Sequence, residues 1–192
     1  MRIVAGKLGG RRLPRLSADG VRPTSERVRE AIFSSLQALT RVEEARVLDL
    51  YAGSGALGFE ALSRGASRCC FVEQQRKVCR TLQQAAEVFG VTKDVEVIER
   101  DALAFLRRPS TGGAGAFHLV FADPPYESIQ AAELLDAVLS SSVVGAGTIF
   151  VLETGKKHAV PAGGFAEAQQ LSAVVKRAKT YGDTAVTYFE FQ

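Results

Sequence analysis

Residues that commonly form metal sites or disulfides are scarce in this chain. Its 192 residues include three cysteines, Cys69, Cys70 and Cys79, and two histidines, His118 and His158. The cysteines are odd in number and lack C-x-x-C spacing, so neither a disulfide framework nor a zinc site is supported. The histidines have no partner at metal-ligand spacing. We therefore expect no metal, and we assign neither histidine a chemical role.

Long apolar runs are also missing. No stretch approaches the roughly 20 apolar residues that a membrane span needs. The beginning, Met1-Arg2-Ile3, leads into glycine and arginine rather than into an apolar signal segment. The hydrophobic fraction of 46% is typical of a globular protein, and the length allows one sizeable core, or one domain plus an appendage. We therefore expect a cytoplasmic protein without membrane contact.

What the chain does have is a strand that runs into a helix through glycine. The stretch from 47 to 65 reads VLDLYAGSGALGFEALSRG. Residues 46 to 51 are predicted to form a buried strand, Gly53, Gly55 and Gly58 a tight turn, and the following residues a helix to about Ser63. In such a unit the ligand lies at the carboxyl end of the strand, where glycine allows close backbone approach.

The nature of that ligand is not decided by the glycines alone, because their spacing also fits the dinucleotide fingerprint G-x-G-x-x-G. Glu73 then stands at the right distance to bind a ribose hydroxyl. Asp49 separates the two interpretations. A carboxylate at the mouth of the strand repels a pyrophosphate but suits a ligand with ammonium and sulfonium charges, such as S-adenosylmethionine. The alternative for Asp49 is that it only binds loop amides.

Strands and helices alternate through the middle of the chain, which predicts a parallel sheet with helices on both faces. A helix capped by Thr24 or Ser25 precedes the first strand. Two β-rich runs, 169 to 175 and 184 to 191, joined by KRAKTYGD, predict an antiparallel hairpin at the end. The fold class is thus α/β, a Rossmann-like and mostly parallel sheet of seven strands with an antiparallel C-terminal hairpin.

Polar residues end four of the parallel strands, and a parallel sheet gathers these ends at one edge. Asp49 lies in the first strand, Glu73 ends the second, Asp101 follows the third, and Asp123-Pro124-Pro125-Tyr126 follows the fourth. We interpret Glu73 as a partner of ribose hydroxyls, Asp101 of an adenine amine, and the glycine turn of a methionine moiety. The predicted cofactor contacts are Asp49, Tyr51, Gly53, Gly55, Glu73, Gln74, Asp101, Ala102 and Thr24.

The Asp-Pro-Pro-Tyr segment suits methyl transfer to an exocyclic amine. The lone pair of such an amine is delocalised into the base, and acceptors for its N–H groups free it for attack. Asp123 and the carbonyl of Pro124 are such acceptors, and a proline offers no competing N–H. Tyr126 can stack on the base. The alternative is that the prolines only end a strand.

Here the sequence resembles the amino-methyltransferases with a (D/N)PPY motif. Nearly the whole chain, including MRIVAGKLGGRRL, RPTSERVREAIF, DLYAGSGALGFEALSRGA and YGDTAVTYFEF, resembles the RsmD family. The resemblance implies methyl transfer from S-adenosylmethionine to N2 of a guanine in small-subunit ribosomal RNA, with Asp123, Pro124, Pro125 and Tyr126 as catalytic residues. The implied partner is this RNA or the assembling small subunit, and we expect a monomer.

Charge is unevenly distributed along the chain. Residues 1 to 22 hold six basic residues and one acid, a net charge of +5, whereas the remainder holds 18 basic and 20 acidic residues, a net charge of −2. We therefore divide the chain into a basic arm or hairpin, 1–22, and a methyltransferase domain, 23–192. The arm is either an RNA-binding segment or a solvated tail. The predicted RNA contacts are Arg2, Lys7, Arg11, Arg12, Arg15 and Arg22.

Other functions stay open from sequence alone. An amino-methyltransferase acting on another nucleic acid or on a protein glutamine would keep the same motif. A dinucleotide-dependent dehydrogenase is disfavoured by Asp49 and by the lack of a plausible hydride-transfer His or Lys. A non-catalytic RNA-binding module would have no use for Asp-Pro-Pro-Tyr beside a cofactor turn. Binding of S-adenosylmethionine against NAD, and methyl incorporation, separate these possibilities.

Overall fold

The computed structural model describes residues 1–13, 25–40, 42–107, 117–125, 131–158, 165–168 and 171–192. Four predicted site residues, Thr24, Tyr126, Arg15 and Arg22, lie outside the described residues. The helices are α1 Glu26–Leu36, α2 Ala56–Ser63, α3 Arg76–Phe89, α4 Ala102–Leu106 and α5 Ala131–Leu139. The strands are β1 Arg46–Leu50, β2 Arg68–Glu73, β3 Val95–Glu99, β4 Leu119–Ala122, β5 Ile149–Gly155, β6 Phe165–Ala168, β7 Leu171–Tyr181 and β8 Thr184–Phe191. Short 3₁₀ turns lie at Thr92–Asp94 and Lys156–His158.

All the strands belong to one sheet with the order β3-β2-β1-β4-β5-β8-β7-β6. Strands β1 to β5 are parallel to one another, and β8, β7 and β6 continue the sheet beyond β5 in antiparallel pairs. The chain crosses back over the sheet from β3 to β4, so the strand order reverses between the neighbouring strands β1 and β4. Such a switch point opens a crevice at the carboxyl ends of the strands.

This architecture confirms the predicted fold class and its seven strands, with two differences at the antiparallel end. The sheet has an eighth strand, β6, which pairs with the beginning of β7. Its four residues are too few to give a clear alternation in the sequence. The stretch KRAKTYGD was predicted as a connection with a Gly-Asp turn. The turn at Gly182-Asp183 is confirmed, but the rest of the stretch was wrong, because β7 continues to Tyr181. Charged residues on a half-exposed strand resemble a loop in the sequence.

Two layers of apolar side chains enclose the sheet. On one face α1, α2 and α3 pack in a cluster that includes Ile32, Phe59 and Leu82. On the other face α4 and α5 pack in a cluster that includes Leu106 and Leu134. Helix α1 begins where predicted, since the Ser25 side chain accepts a hydrogen bond from the N–H of Val28 at 3.2 Å. Among the residues that the structure describes, no helix has the length and apolar character to cross a membrane.

The N-terminal residues form a short hairpin against this domain. The N–H of Ile3 donates to the carbonyl of Arg11 at 3.0 Å, and the N–H of Gly10 donates to the carbonyl of Ile3 at 2.9 Å. Ile3, Leu8 and Leu13 are buried in the same cluster as α1 and α2. Residues 1–13 therefore contribute to the core of the domain, and the boundary at residues 22 and 23 stays a prediction about function.

Candidate active site

The register of the sheet places the predicted site residues at one edge. Leu50, the last residue of β1, pairs with Val72 of β2 and with Ala122 of β4. The residues that follow these two partners, Glu73 and Asp123, therefore flank the glycine turn on either side. Three neighbouring strands thus contribute to one crevice at the switch point of the sheet.

The glycine turn between β1 and α2 consists of left-handed backbone. Tyr51, Gly53 and Gly55 have φ values of 57°, 52° and 72°. Such angles are unfavourable for most side chains, which explains the glycines. Tyr51 adopts one nevertheless, and its hydroxyl oxygen Oη is buried without a hydrogen-bond partner among the residues that the structure describes. Burial raises the pKa of this phenol, so it stays protonated and can donate to a bound group.

Glycine at position 58 lets α2 approach the sheet closely. A Cβ atom there would lie 2.3 Å from the Phe71 ring and 2.6 Å from Cys69 Sγ, both on β2. Any side chain would therefore push the helix away from the strand. The third glycine of the predicted turn is thus required for packing, while the first two are required for backbone conformation.

Asp49 lies under the turn and holds the beginning of α2. Its Oδ2 accepts a hydrogen bond from the N–H of Gly58 at 2.9 Å. Gly55, the N-cap residue of α2, offers no side chain to accept such a bond. Asp49 supplies that acceptor from the preceding strand, β1. The amide that Asp49 binds belongs to α2, whereas the alternative considered from the sequence was a bond to loop amides.

Ionisation of Asp49 is unfavourable in the protein without a bound ligand. Its side chain is 3% exposed. Burial raises its pKa from 3.8 to about 8; the hydrogen bond from Gly58 opposes the shift, and the nearby carboxylates Asp123 and Glu73 add to it. A positive charge in the crevice would reverse this effect, because it would stabilise the ionised carboxylate.

Glu73 ties the turn to the next helix. Its Oε2 accepts from the N–H of Gly53 at 3.1 Å, and its Oε1 accepts from the N–H of Gln75 at 2.8 Å. Gln75 is the N-cap residue of α3, so one buried carboxylate fixes both walls of the crevice. Gln74, between the two, is exposed.

Asp101 and Ala102 lie at the outer end of the same edge. Glu73 pairs with Glu99 of β3, and Asp101 follows two residues later as the N-cap residue of α4. Its Oδ1 accepts from the N–H of Ala104 at 2.8 Å, while the side chain is exposed to solvent. Ala102 is buried. Asp101 thus caps a helix, and its charge adds to the raised pKa of Tyr51 in the glycine turn.

Asp123, Pro124 and Pro125 follow β4 on the other side of the turn. Asp123 is half-buried, Pro124 is buried and Pro125 is exposed. Asp123 directly follows Ala122, which pairs with Leu50 of β1, and its charge adds to the raised pKa of Asp49. The crevice therefore has an acidic interior with the Asp-Pro-Pro segment as one wall.

The predicted RNA contacts in the hairpin differ in how their side chains are held. Arg2 Nη1 donates to the carbonyl of Gly10 at 2.8 Å, and Arg11 Nη1 donates to the carbonyl of Phe89 at 3.0 Å. Arg11 also lies over the Phe89 ring, 5.5 Å from its centre. Lys7 and Arg12 are exposed. Two of these cations therefore anchor the hairpin, and two extend into solvent.

The fold and the acidic crevice at the glycine turn define a Rossmann-like class I methyltransferase. Among the described residues, no group of three or more His, Cys, Asp or Glu side chains could hold a metal ion. The model of the family described as Conserved hypothetical protein 95, which is the RsmD family, matches residues 1–190. The chain belongs to that family, and the predicted resemblance is confirmed.

Individual relatives agree with this assignment. The chain is 34% identical over 157 residues to the ribosomal RNA small subunit methyltransferase D of Haemophilus influenzae, covering 81% of this chain and 79% of that protein. It is 32% identical over 163 residues to the protein of the same name from Escherichia coli strain K12, covering 84% and 78%. The chain is thus a methyltransferase, and the dehydrogenase and non-catalytic alternatives are not supported.

Solved structures share the fold over most of the chain. The Escherichia coli protein yhhF superposes with a TM-score of 0.81 at 28% identity, over 99% of this chain and 97% of that one. An RNA methyltransferase from Salinibacter ruber, solved in complex with S-adenosyl-L-homocysteine, has a TM-score of 0.63 at 16% identity, over 88% and 93%. The second likeness extends to the fold alone.

Proposed function

We propose that this protein transfers a methyl group from S-adenosylmethionine to the exocyclic N2 amine of a guanine in small-subunit ribosomal RNA. The observation that carries the proposal is the position of Asp123 and Pro124 beside the buried Asp49, at the switch point of the sheet. The names of the relatives in Haemophilus influenzae and Escherichia coli support the RNA substrate.

The crevice suits S-adenosylmethionine on three observations. Buried Asp49 has a raised pKa that a cation would lower again. The Tyr51 hydroxyl is buried without a described partner and can donate to a ligand. The left-handed backbone at Gly53 and Gly55 leaves no Cβ between ligand and turn. S-adenosylmethionine, when bound, supplies a methyl group on a positively charged sulfonium.

The predicted cofactor residues keep their roles within this proposal. Asp49 faces the positive charges, Glu73 accepts from ribose hydroxyls with the lone pairs that its two backbone bonds leave available, and Asp101 accepts from the adenine amine. Gln74 and Ala102 contribute backbone or polar contacts beside these two carboxylates. Thr24 stays a predicted contact from outside the described residues.

Asp123 and Pro124 act on the target base. The carboxylate of Asp123 and the carbonyl of Pro124 accept hydrogen bonds from the guanine amine, which frees the nitrogen lone pair for attack. Neither Pro124 nor Pro125 has an N–H that could compete for these acceptors. Tyr126 stacks on a base that is held out of the RNA stack, a contact worth roughly 1 to 3 kcal/mol.

Most of the rate acceleration comes from proximity and alignment rather than from a strong base. Asp123 holds the amine at one side of the crevice while the buried floor around Asp49 holds the cofactor at the other. Asp49 lies on β1, and Asp123 directly follows β4, the strand that pairs with β1. A buried, preorganised site of this kind needs little rearrangement when the methyl group moves.

The remaining predictions concern the RNA contacts, the oligomeric state, the location of the protein and the form of its substrate. Arg2, Lys7, Arg11, Arg12, Arg15 and Arg22 are proposed RNA contacts, among which exposed Lys7 and Arg12 are the stronger candidates. We further propose that the protein acts as a monomer in the cytoplasm. Its substrate is free ribosomal RNA or an assembling small subunit.

Methyl incorporation and nucleoside mass spectrometry test the proposal directly. Purified protein is incubated with labelled S-adenosylmethionine and unmodified small-subunit ribosomal RNA, either free or in assembling particles. The expected product after digestion is N2-methylguanosine at one position. Methylated adenine or cytosine, methylated protein glutamine, or no incorporation into any of these substrates would contradict it.

A further inference from the structure

The catalytic edge of the sheet is electrostatically polarised along the strand order. At the β2 and β3 end lie Glu73, Glu99 and Asp101, which are acidic. At the other end lie Lys156, Lys157 and Lys179, with one acid, Asp183, in the adjoining turn between β7 and β8. Asp123 lies between the two regions. A cationic cofactor and an anionic RNA strand are therefore favoured on opposite sides of the reacting amine.

Three lysines of the basic end lie close to the level of Asp123. Lys156 and Lys157 begin the 3₁₀ turn that directly follows β5, the strand next to β4. Across the sheet, Lys179 pairs with Val186, and Val186 pairs with Glu153. Since Leu152 pairs with Ala122, Lys179 lies level with Asp123, three strands away. Strand spacing makes this about 14 Å.

The backbone holds these lysines in a fixed arrangement. The N–H of Lys156 donates to the carbonyl of Asp183 at 2.7 Å, which joins the 3₁₀ turn to the β7–β8 turn. We call the surface formed by Lys156, Lys157 and Lys179 the basic hairpin surface. The backbone positions of these three lysines are set by strand pairing. Little backbone entropy is therefore lost when a ligand binds to them.

The three side chains are also available to a ligand. All are exposed, and none forms an ion pair with another residue that the structure describes. Lys176 differs, because its Nζ lies 2.8 Å from Glu190 Oε2 and its charge is already balanced. Three exposed cations that form no described ion pair, three strands away from Asp123 at the same edge of the sheet, are an electrostatic arrangement that suits phosphate groups.

We propose that the basic hairpin surface binds the phosphates of the RNA that flanks the target nucleotide. This inference rests on the proposed function and names the part of the protein that positions the substrate. The N-terminal hairpin is less well placed for that role. The N–H of Lys7 donates to the carbonyl of Ser63, the last residue of α2. The N–H of Glu44, which precedes β1, donates to the carbonyl of the nearby Gly65. Lys7 therefore lies near the opposite edge of the sheet from Asp123.

A charge-matched pair of double variants tests the proposal. Lys157→Ala with Lys179→Ala removes two charges from the basic hairpin surface, and Arg80→Ala with Lys93→Ala removes two exposed charges from α3 and the following turn. The affinity of each protein for an unmodified small-subunit ribosomal RNA fragment is measured over a range of salt concentrations. Affinity for S-adenosylmethionine is measured in parallel.

The first double variant should bind this RNA about tenfold more weakly. The slope of log affinity against log salt should decrease by roughly 1.4 to 1.8, which is about 0.7 to 0.9 for each phosphate that the protein no longer neutralises. The control variant should stay within about twofold of the wild type, and both should bind cofactor normally. Lys157→Arg with Lys179→Arg should keep the wild-type slope, because the charge is retained.

An unchanged salt slope in the first double variant, or an equal change in the control, would overturn the inference. The inference would also be overturned if the first double variant bound naked RNA normally but bound a ribosomal protein more weakly than the wild type does. That result would favour a protein partner for this surface. Failure of the proposed function is a separate result. In that case the wild-type protein itself transfers no methyl group to guanine, whatever the slopes are.

Discussion

Glu60 Oε2 accepts a hydrogen bond from the N–H of Val4 at 2.7 Å, across 56 residues of sequence. Its Oε1 accepts from the N–H of Ala5 at 3.0 Å and from Arg64 Nε at 2.9 Å. Arg29 Nε lies 4.0 Å from the same carboxylate, and the Glu60 and Arg29 side chains are fully buried. This cluster fastens the N-terminal hairpin to α1 and α2.

Replacing Glu60 should therefore destabilise the whole domain. Glu60→Ala leaves two backbone N–H groups without their acceptor and the buried Arg29 guanidinium without this nearby anion, which costs about 3 to 5 kcal/mol. The measurement is the free energy of unfolding in urea. Glu87→Ala, on an exposed position of α3, is the control and should change it by less than about 0.5 kcal/mol. Similar losses in the two variants would show that the cluster does not hold the hairpin.

The same cluster decides how RNA binding by the hairpin can be tested. Deletion of residues 1–13 would remove the buried side chains Ile3, Leu8 and Leu13 together with the partners of Glu60. A loss of RNA affinity in such a truncated protein would then reflect the loss of folded structure rather than the loss of RNA contacts. Point variants of Lys7 and Arg12, which are exposed, avoid this problem.

The raised pKa of Asp49 predicts proton release when the cofactor binds. In the free protein the pKa is about 8 because of burial, so near pH 7 the carboxyl group is mostly protonated. A bound cation stabilises the ionised form, and about one proton should leave on binding. Calorimetry in two buffers of different ionisation enthalpy measures this release. Asp49→Asn keeps an acceptor for the N–H of Gly58 and should abolish the release.

The same shift has a consequence for stability without cofactor. A folded-state pKa raised above the unfolded value means that the folded protein binds the proton more tightly. The resulting stabilisation is fully present below about pH 4 and is lost as the pH rises through about 8. Wild-type protein should therefore lose stability relative to Asp49→Asn across this range. Equal pH dependence of the two proteins, together with equal proton release, would contradict the account of Asp49.

Tyr126 should act through its ring rather than through its hydroxyl. Tyr126→Phe keeps the stacking face and should retain most of the activity, whereas Tyr126→Ala should lose the stacking energy of roughly 1 to 3 kcal/mol, a loss of about 5- to 150-fold in kcat/KM. Methyl transfer to RNA is measured for both variants. Equal losses in Phe and Ala would assign the role to the hydroxyl group.

Much of the parallel half of the sheet could be predicted from the sequence because its signals are local. The strand before Gly53, the helix after it and the prolines after β4 each follow from a short pattern. The edge where Glu73, Asp101 and Asp123 meet follows from parallel topology alone. These predictions needed no knowledge of distant contacts.

The parts that the sequence did not reveal depend on contacts between distant segments. Glu60 lies in an ordinary helical stretch, and no pattern marks it as a fully buried partner of Val4. The second role of Asp49, as the acceptor that Gly55 cannot supply to α2, needs the strand and helix side by side. The length of β7 depends on its pairing with β8, which outweighs the loop-like composition of KRAKTYGD.

The central claim, that Asp123 holds the target amine and not the cofactor, is tested most directly by Asp123→Ala. The two quantities to measure are the dissociation constant for S-adenosylmethionine and the rate of methyl transfer to unmodified small-subunit ribosomal RNA. The account predicts that methyl transfer is abolished while cofactor affinity stays within a few-fold of the wild type. Loss of cofactor binding as severe as the loss of methyl transfer, or retention of methyl transfer, would contradict it.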